Sequence, residues 1–109
     1  MQFFNDLQNR EVKHVFPGVD IRTFWGEKML MAVVDLAADA VVPTHSHPHE
    51  QVGTVLSGRM ALTVEGETRW VEPGDSYIIP GDIEHAARAG DTPTRVLEVF
   101  CPIRPEYQY

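Results

Sequence analysis

Glycine and proline punctuate this chain at short intervals, and that spacing limits the secondary structure that can form between them. The sequence has 8 Gly and 8 Pro in 109 residues. The segments between them are short runs of Val, Ile, Leu, Thr and aromatic residues. Short strands separated by turn residues roughly every 8–12 positions are typical of sandwiches and barrels. No segment carries the apolar stripe of a long helix, so the sequence predicts an all-β protein.

Apolar runs bounded by turn residues give the predicted strands. In residues 60–64, larger apolar side chains alternate with smaller or polar ones, which places one face of this strand inward. The sequence Glu65-Gly66-Glu67 predicts a tight hairpin after it, and Phe3 to Leu7 is predicted to form one helical turn. The predicted strands are Val19 to Trp25, Met29 to Leu36, Gln51 to Leu56, Met60 to Val64, Thr68 to Val71, Ser76 to Ile79, His85 to Arg88 and Arg95 to Phe100.

Length and composition set the class of protein. Hydrophobic residues make up 43% and charged residues 23% of the chain, as in ordinary soluble globular domains. A chain of 109 residues is long enough for one core and too short for two, so we expect a single domain over residues 1–109. Cys101 is the single cysteine, which excludes an internal disulfide and a cysteine-based structural zinc site.

The charge balance argues against two classes of partner. Nine Lys and Arg against sixteen Asp and Glu give a formal net charge of −7. Such a chain has no bulk attraction for nucleic acid or for anionic membranes. No basic leader, apolar signal or membrane span is evident, so we expect a cytoplasmic protein. An anionic substrate would need a local positive centre to overcome the overall charge.

Three of the five histidines fall close together, as His45, His47 and His49. Residues i and i+2 of a strand project from one face about 6.6 Å apart, so a small twist brings both rings to one ion. A straight strand from 45 to 51 would span about 20 Å, so the chain must bend, naturally at Pro48. We expect His45 and His47 at one strand end, Gln51 at the next strand start, and His49 at the rim. The alternative is an exposed polar face without a ligand.

The spacing of these residues resembles the two motifs of the cupin superfamily. Those motifs are Gly-x5-His-x-His-x3,4-Glu-x6-Gly and Gly-x5-Pro-x-Gly-x2-His-x3-Asn. Residues 39–58 and 74–89 match both spacings, and the resemblance extends over about residues 19–101. The chain departs from the motifs at four positions. Asp39 and Asp82 stand at glycine positions, Gln51 stands at the glutamate position, and Ala89 stands at the asparagine position.

The cupin resemblance implies a small antiparallel β-barrel or jelly roll, also called a double-stranded β-helix, with a metal in its mouth. The implied ligands are His45, His47, Gln51 and His85, around one divalent ion such as Ni, Zn, Fe or Mn. Three imidazoles and an amide oxygen are neutral, so they leave the charge of the ion uncompensated. That charge would supply the positive centre that an anionic substrate needs. Gln51 also argues against an iron site of two histidines and one carboxylate.

The chain also resembles the small pectin-degradation cupins of the KdgF type. The resemblance rests on His45-Ser46-His47-Pro48-His49-x-Gln51, Glu65-Gly66-Glu67-Thr68 and Val99-Phe100-x-Pro102-x-Arg104. It implies conversion of 4,5-unsaturated monouronates, the products of pectate and alginate lyases, into linear keto-aldehyde sugars. It also implies that Glu98, Phe100 and Arg104 line the pocket, although the acid of that family is usually Asp. Arg104 would bind the substrate carboxylate, Glu98 would move protons, and Phe100 would pack on the sugar.

Other functions compete with this one. A cupin-type metal dioxygenase acting on a phenol, diketone or thiol is one alternative, and a non-catalytic sugar- or small-molecule-binding cupin is another. By pattern alone, Glu98 is equally consistent with a solvated charge on an edge strand, and Arg104 with a plain tail residue after Pro102. Trp25 and Trp70 are expected to be structural aromatics. We also expect a homodimer, since apolar strands such as Val19 to Trp25 have edges to cover.

Overall fold

The computed structural model describes residues 3–109, and within them strands account for most of the regular structure. Two short 3-10 helices, Leu7–Asn9 and Pro105–Tyr107, lie near the two ends of the described chain. No helix among these residues has the length and apolar character needed to cross a membrane. The ten strands are β1 (Lys13–Phe16), β2 (Val19–Trp25), β3 (Leu30–Leu36), β4 (Val41–His45), β5 (Glu50–Ser57), β6 (Met60–Val64), β7 (Glu67–Val71), β8 (Ser76–Ile79), β9 (His85–Ala89) and β10 (Thr94–Cys101).

The strands form two antiparallel sheets. One sheet has six strands in the order β1-β2-β3-β10-β5-β8, and the other has four in the order β4-β9-β6-β7. Over residues 3–109 no strand ladder closes the two sheets into one barrel, so the protein is a jelly roll of facing sheets. This confirms the all-β expectation in its jelly-roll form. The side chains buried between the sheets include Ile21, Leu30, Val34, Val55, Leu62, Val96 and Phe100.

Alternation along β10 carries one acidic side chain to the inner face of the six-stranded sheet. Val96 and Phe100 are both buried in the core. Glu98 lies between them and shares their direction, because alternate residues of a strand face the same side. Glu98 and Phe100 therefore lie together on the inner face of a central strand. Glu98 is not a solvated charge on an edge strand, which was the alternative interpretation.

All the predicted strands are confirmed to within one residue at each end, and the strands without predicted bounds lie at sheet edges. β2, β6 and β8 have the predicted bounds, whereas β1 was missed and β4 was expected only as the strand ending at the histidines. Both lie at the edge of a sheet, where exposed residues remove the apolar alternation that identifies a strand. The predicted turn at 3–7 is misplaced, because the 3-10 helix begins at Leu7, after Asp6 accepts a hydrogen bond from the Gln8 amide at 3.0 Å.

Two aspartates that stand at glycine positions of the motifs have the left-handed backbone conformation that favours glycine. Asp39 has φ of 62° and Asp82 has φ of 67°. Aspartate enters this left-handed region more readily than most residues, so the turns survive both departures. Glu65 and Gly66 also have positive φ, at 48° and 82°, which confirms the tight hairpin between β6 and β7.

Candidate metal centre

Three histidines meet at one end of the four-stranded sheet. His45 ends β4 and lies directly opposite His85, which begins β9. His47 follows two residues after β4 and turns back toward both. The ring centroids are 4.3 Å apart for His45 and His85, 4.9 Å for His47 and His85, and 5.8 Å for His45 and His47. One nitrogen from each ring lies within 4.8 Å of the others, so a small contraction would bring all three to one ion.

Backbone carbonyls orient all three rings in the same way. In each ring, Nδ1 lies near the carbonyl of a residue two positions away, at 2.7 Å for His45, 3.0 Å for His47 and 2.8 Å for His85. A carbonyl oxygen can only accept, so each neutral ring donates from Nδ1 and keeps the Nε2 lone pair free. The Nε2 of His85 is buried and has no hydrogen-bond partner among the described residues. Such an orphaned acceptor suits a metal ion.

Gln51 extends this group of donors. It is the second residue of β5, and its Oε1 lies 3.0 Å from Nε2 of His47. Both atoms carry lone pairs when Nδ1 of His47 holds the proton, so without a cation they would repel each other. Two ligands at right angles around an ion, each about 2.1 Å from it, are themselves about 3.0 Å apart. The spacing of Gln51 and His47 therefore fits two neighbouring ligands.

Burial favours the neutral form of His47 and His85. The pKa of His47 is lowered from 6.5 to about 4, first by burial and then by the positive charge of Arg104, while the Gln51 contact acts in the opposite direction. The pKa of His85 is also lowered, mainly by burial, against the effect of its hydrogen bond to the Ile83 carbonyl. Neutral imidazole is the form that binds a metal.

A carboxylate approaches the group from the six-stranded sheet. Nε2 of Gln51 donates to Oε2 of Glu98 at 2.5 Å, and the Tyr77 hydroxyl donates to the same oxygen at 2.6 Å. Burial raises the pKa of Glu98, and the bonds from Tyr77 and Gln51 oppose that rise. Sequence reasoning placed Glu98 in the pocket through the family resemblance but missed Tyr77. In the sequence, Tyr77 stands out by one feature: it lies two residues before the apolar Ile79, and therefore on the same face of the predicted strand.

Arg104 brings a positive charge to the same place. Its side chain is only 11% exposed, and its guanidinium carbon lies 5.3 Å from the ring centre of Phe100 and 4.2 Å from that of Tyr107. Nε of Arg104 is buried and makes no hydrogen bond among the described residues, with the nearest carboxylate oxygen, on Glu106, 3.6 Å away. This cation is therefore held by aromatic faces and retains donors for an anion.

Most of these side chains border one narrow cavity between the sheets, although His47 and Tyr77 do not. Its volume is about 60 Å³, which holds water or an ion but is far below the usual size of a ligand pocket. Apolar side chains of both sheets form its deep end. The residues at its polar end and nearby wall are His45, Gln51, His85, Glu98, Phe100, Arg104 and Tyr107.

The remaining aromatic and histidine candidates lie outside this cavity. His49 is 8% exposed, so it is buried beside His47 and not at an open rim, and its carbonyl orients the His47 ring. It does not belong to the three-histidine group. Trp25 and Trp70 are partly exposed and do not line the cavity.

The fold and the site define a cupin. A family model described as a cupin domain matches residues 32–100, well over half of the chain, so this chain belongs to that family. The match begins in β3 and ends in β10, and it includes all the residues of the three-histidine group.

Two proteins named KdgF are similar to this chain. The pectin degradation protein KdgF of Dickeya dadantii (strain 3937) is 26% identical over 84 residues, which are 76% of this chain and 76% of that protein. The structure of KdgF from Halomonas sp. superposes with a TM-score of 0.90 and 27% identity, covering 97% of this chain and 98% of that one. An RmlC-like cupin from Shewanella frigidimarina NCIMB 400 gives a TM-score of 0.91 at 21% identity, covering 98% and 96%, and supports the fold alone.

Proposed function

We propose that this protein is a metal-dependent enzyme that converts 4,5-unsaturated monouronates into linear keto-aldehyde uronates. One observation carries the proposal: the cation of Arg104 and the carboxylate of Glu98 border the same cavity as His45 and His85 of the histidine group. An anion-binding group, a proton-transfer group and a metal site are the parts that ring opening of an acidic sugar requires. The similarity to two KdgF proteins supports this substrate class.

The proposed cofactor is one divalent ion held by His45, His47, Gln51 and His85. Imidazole nitrogens with an amide oxygen suit Zn, Ni, Fe or Mn. When bound, such an ion polarises substrate oxygens and stabilises developing negative charge. The four ligands are neutral, so the full charge of the ion favours an anionic substrate in a chain whose formal net charge is −7.

The proposed roles of the other residues follow from their contacts. Arg104 binds the substrate carboxylate through its guanidinium, whose buried Nε has no hydrogen-bond partner among the described residues. Glu98 takes and returns a proton at Oε1, because Oε2 already accepts hydrogen bonds from Gln51 and Tyr77. Phe100 forms the apolar wall beside the sugar. A monouronate is larger than the cavity of about 60 Å³, so the site must widen to admit it.

The test is an ultraviolet assay with monouronates released by pectate or alginate lyase. The conjugated double bond absorbs, and we expect its absorbance to fall on addition of metal-loaded protein and to stay constant with chelator-treated protein. Turnover that consumes oxygen would support the dioxygenase alternative. Saturable binding of the uronate without loss of absorbance would support the binding-module alternative and overturn the proposed activity. The cytoplasmic location expected from the sequence remains a prediction.

We also propose that the protein is a homodimer that pairs through the outer face of its six-stranded sheet. The edge argument from sequence weakens, because β1 already covers the free edge of β2. The outer face instead carries a continuous apolar row across five strands, since the register aligns Phe24, Met31, Val99, Val52 and Ile78. Ile78 is 67% exposed. A second copy of the same face would cover this row.

Light scattering tests the dimer directly. We expect Ile78→Lys to shift the mass from dimer to monomer at micromolar concentration, because the new charge would be buried between copies. Val41→Lys is the matched control, since Val41 is also exposed but lies on the four-stranded sheet. A monomeric parent, or a dimer that survives Ile78→Lys, would refute this interface.

A further inference from the structure

Three residues on neighbouring strands form an uninterrupted row from the sheet edge to the cavity. Glu98 of β10 lies opposite Gly53 of β5, and Gly53 lies opposite Tyr77 of β8. Tyr77 and Glu98 are therefore two strands apart, or about 9–10 Å between backbones. Their side chains meet directly only if the residue between them leaves the space above β5 empty.

Gly53 leaves that space empty. A Cβ built on Gly53 would lie within 3.0 Å of Cζ, Cε2 and the hydroxyl oxygen of Tyr77. The Tyr77 ring thus lies directly over the backbone of β5, in the volume that any other side chain would fill. Glycine is needed here because of this close approach, not because of a special backbone conformation, since Gly53 is absent from the residues with positive φ.

The hydroxyl that crosses over Gly53 ends on Glu98. Tyr77 is 9% exposed, and its hydroxyl donates to Oε2 of Glu98 at 2.6 Å. Burial, and then the neighbouring Glu98, raise the pKa of Tyr77 well above its usual value, so the phenol keeps its proton and remains a donor. The bond fixes the carboxylate of Glu98 at one oxygen.

The fixed carboxylate determines which way the Gln51 amide points. Nε2 of Gln51 donates to the same Oε2 of Glu98, and this places the amide oxygen on the opposite side, 3.0 Å from Nε2 of His47. If the amide were reversed, its NH₂ group would face the histidines, and an amide NH₂ has no lone pair to give an ion. The orientation of Gln51 decides whether the site has three ligands or four.

We propose that Tyr77 is a positioning residue of the metal centre, which acts over Gly53 through Glu98 to hold the Gln51 oxygen toward the three histidines. This inference rests on the proposed metal site and assigns roles to two residues that touch neither the ion nor the substrate. Groups that orient metal ligands from behind affect affinity by roughly 10–100-fold when removed. Tyr77 acts through one intermediate residue, so the effect belongs at the lower end of that range.

The first test uses Tyr77→Phe, which removes only the hydroxyl. We expect the affinity for Zn²⁺, measured by competition with a chromogenic chelator, to fall about tenfold. We also expect the visible absorption bands of the Co²⁺-substituted protein to change, because they report the number and kind of ligands. Tyr109→Phe is the matched control, since its hydroxyl donates to the carbonyls of Glu11 and Ile21 and not to the site. Its Zn²⁺ affinity and Co²⁺ spectrum should equal those of the parent.

The second test is a double-mutant cycle with Gly53→Ala. The added methyl group displaces the aromatic ring, so Gly53→Ala alone should lower Zn²⁺ affinity about as much as Tyr77→Phe. The double variant should lose no more than either single variant, because both changes break the same connection. Melting temperatures of the metal-free variants separate loss of affinity from loss of folding.

Each outcome decides between specific explanations. If the parent binds no divalent ion, the metal site and this inference both fail. If the parent binds Zn²⁺ and Tyr77→Phe matches it in affinity and spectrum, the metal site stands and the role of Tyr77 is refuted. Fully additive losses in the cycle would also refute it, since Gly53 would then act independently of Tyr77.

Discussion

The two walls of the site are held in different ways. At the end of the four-stranded sheet, each histidine ring is oriented by a carbonyl two residues away in sequence. On the six-stranded sheet, Gln51 is oriented by Glu98, and Glu98 by Tyr77, through contacts that span 47 and 21 residues of sequence. The first wall is built from local backbone geometry and the second from a chain of side chains.

This difference predicts how each wall responds to substitution. A locally held ring keeps its orientation when distant residues change, so only replacement of the ring itself removes the donor. A side chain held by a distant partner is disturbed by changes that are far away in sequence. Substitutions in the histidine wall should therefore either leave a ligand in place or remove it completely. Substitutions in the Gln51–Glu98 wall should instead have effects of intermediate and varied size.

The largest effect is expected from removing one histidine. His85→Ala deletes a buried proposed ligand whose Nε2 has no hydrogen-bond partner in residues 3–109, so metal content after dialysis should fall to background, a loss of more than about 100-fold in affinity. Elemental analysis of protein that has not met a chelator measures it. His14→Ala is the control, since His14 is exposed and pairs with Asp20. A metal content equal to the parent in His85→Ala would exclude this site.

A smaller effect is expected at the other wall. Glu98→Gln keeps an oxygen that can accept from Tyr77 and Gln51, so metal content should stay close to that of the parent. The proton-transfer group is lost, and the turnover rate of unsaturated uronate should fall by roughly 10²–10⁴. The measurement is the initial rate at saturating metal. A parent-like rate would show that Glu98 does not move the proton.

Substitution of Arg104 is expected to have a weaker effect, on substrate binding and not on the turnover rate. Arg104→Lys keeps the charge but loses the paired donors of the guanidinium, so KM for the uronate should rise about tenfold, equal to about 1.4 kcal/mol, with kcat little changed. Arg69→Lys is the control, since Arg69 is exposed and pairs with Glu67 on the same strand, away from the site. A fall in kcat at constant KM would assign Arg104 to the chemical step and not to binding.

The same difference explains how much could be predicted from the sequence. The spacing of His45, His47 and His85 could be recognised because local bends and one strand pairing bring them together. Asp39 and Asp82 preserved their turns because they adopt the glycine conformation, so the spacing remained a guide where the residue types did not match.

The contacts on the six-stranded sheet could not be predicted from the spacing of residues in the sequence. Contact between Tyr77 and Glu98 depends on the order β10-β5-β8, and strand order is not encoded in local periodicity. The importance of Gly53 also appears only when its cross-strand neighbours are known. Glu98 was assigned to the pocket through resemblance, while its pattern alone was equally consistent with a solvated edge.

The two walls should also differ in the sign of their pH dependence, which is the smallest effect. The pKa of His47 falls from 6.5 to about 4 on folding, so between these values the unfolded chain binds a proton that the folded protein refuses. Acidification through this range therefore lowers the free energy of unfolding. Burial raises the pKa of Glu98, so the folded protein binds that proton more tightly, and acidification toward 4.5 has the opposite effect.

Urea denaturation of chelator-treated protein at pH 7 and pH 5 separates these contributions. We expect the parent to lose stability between the two pH values through His47, and His47→Gln to lose less. Glu98→Gln should lose more than the parent, because the compensating uptake of a proton at Glu98 is gone. If both variants lose as much as the parent, the two side chains do not titrate differently in the folded and unfolded states. If the two variants shift in the same direction, folding does not change proton binding at the two walls in opposite directions, and the contrast between them is confined to how their side chains are held.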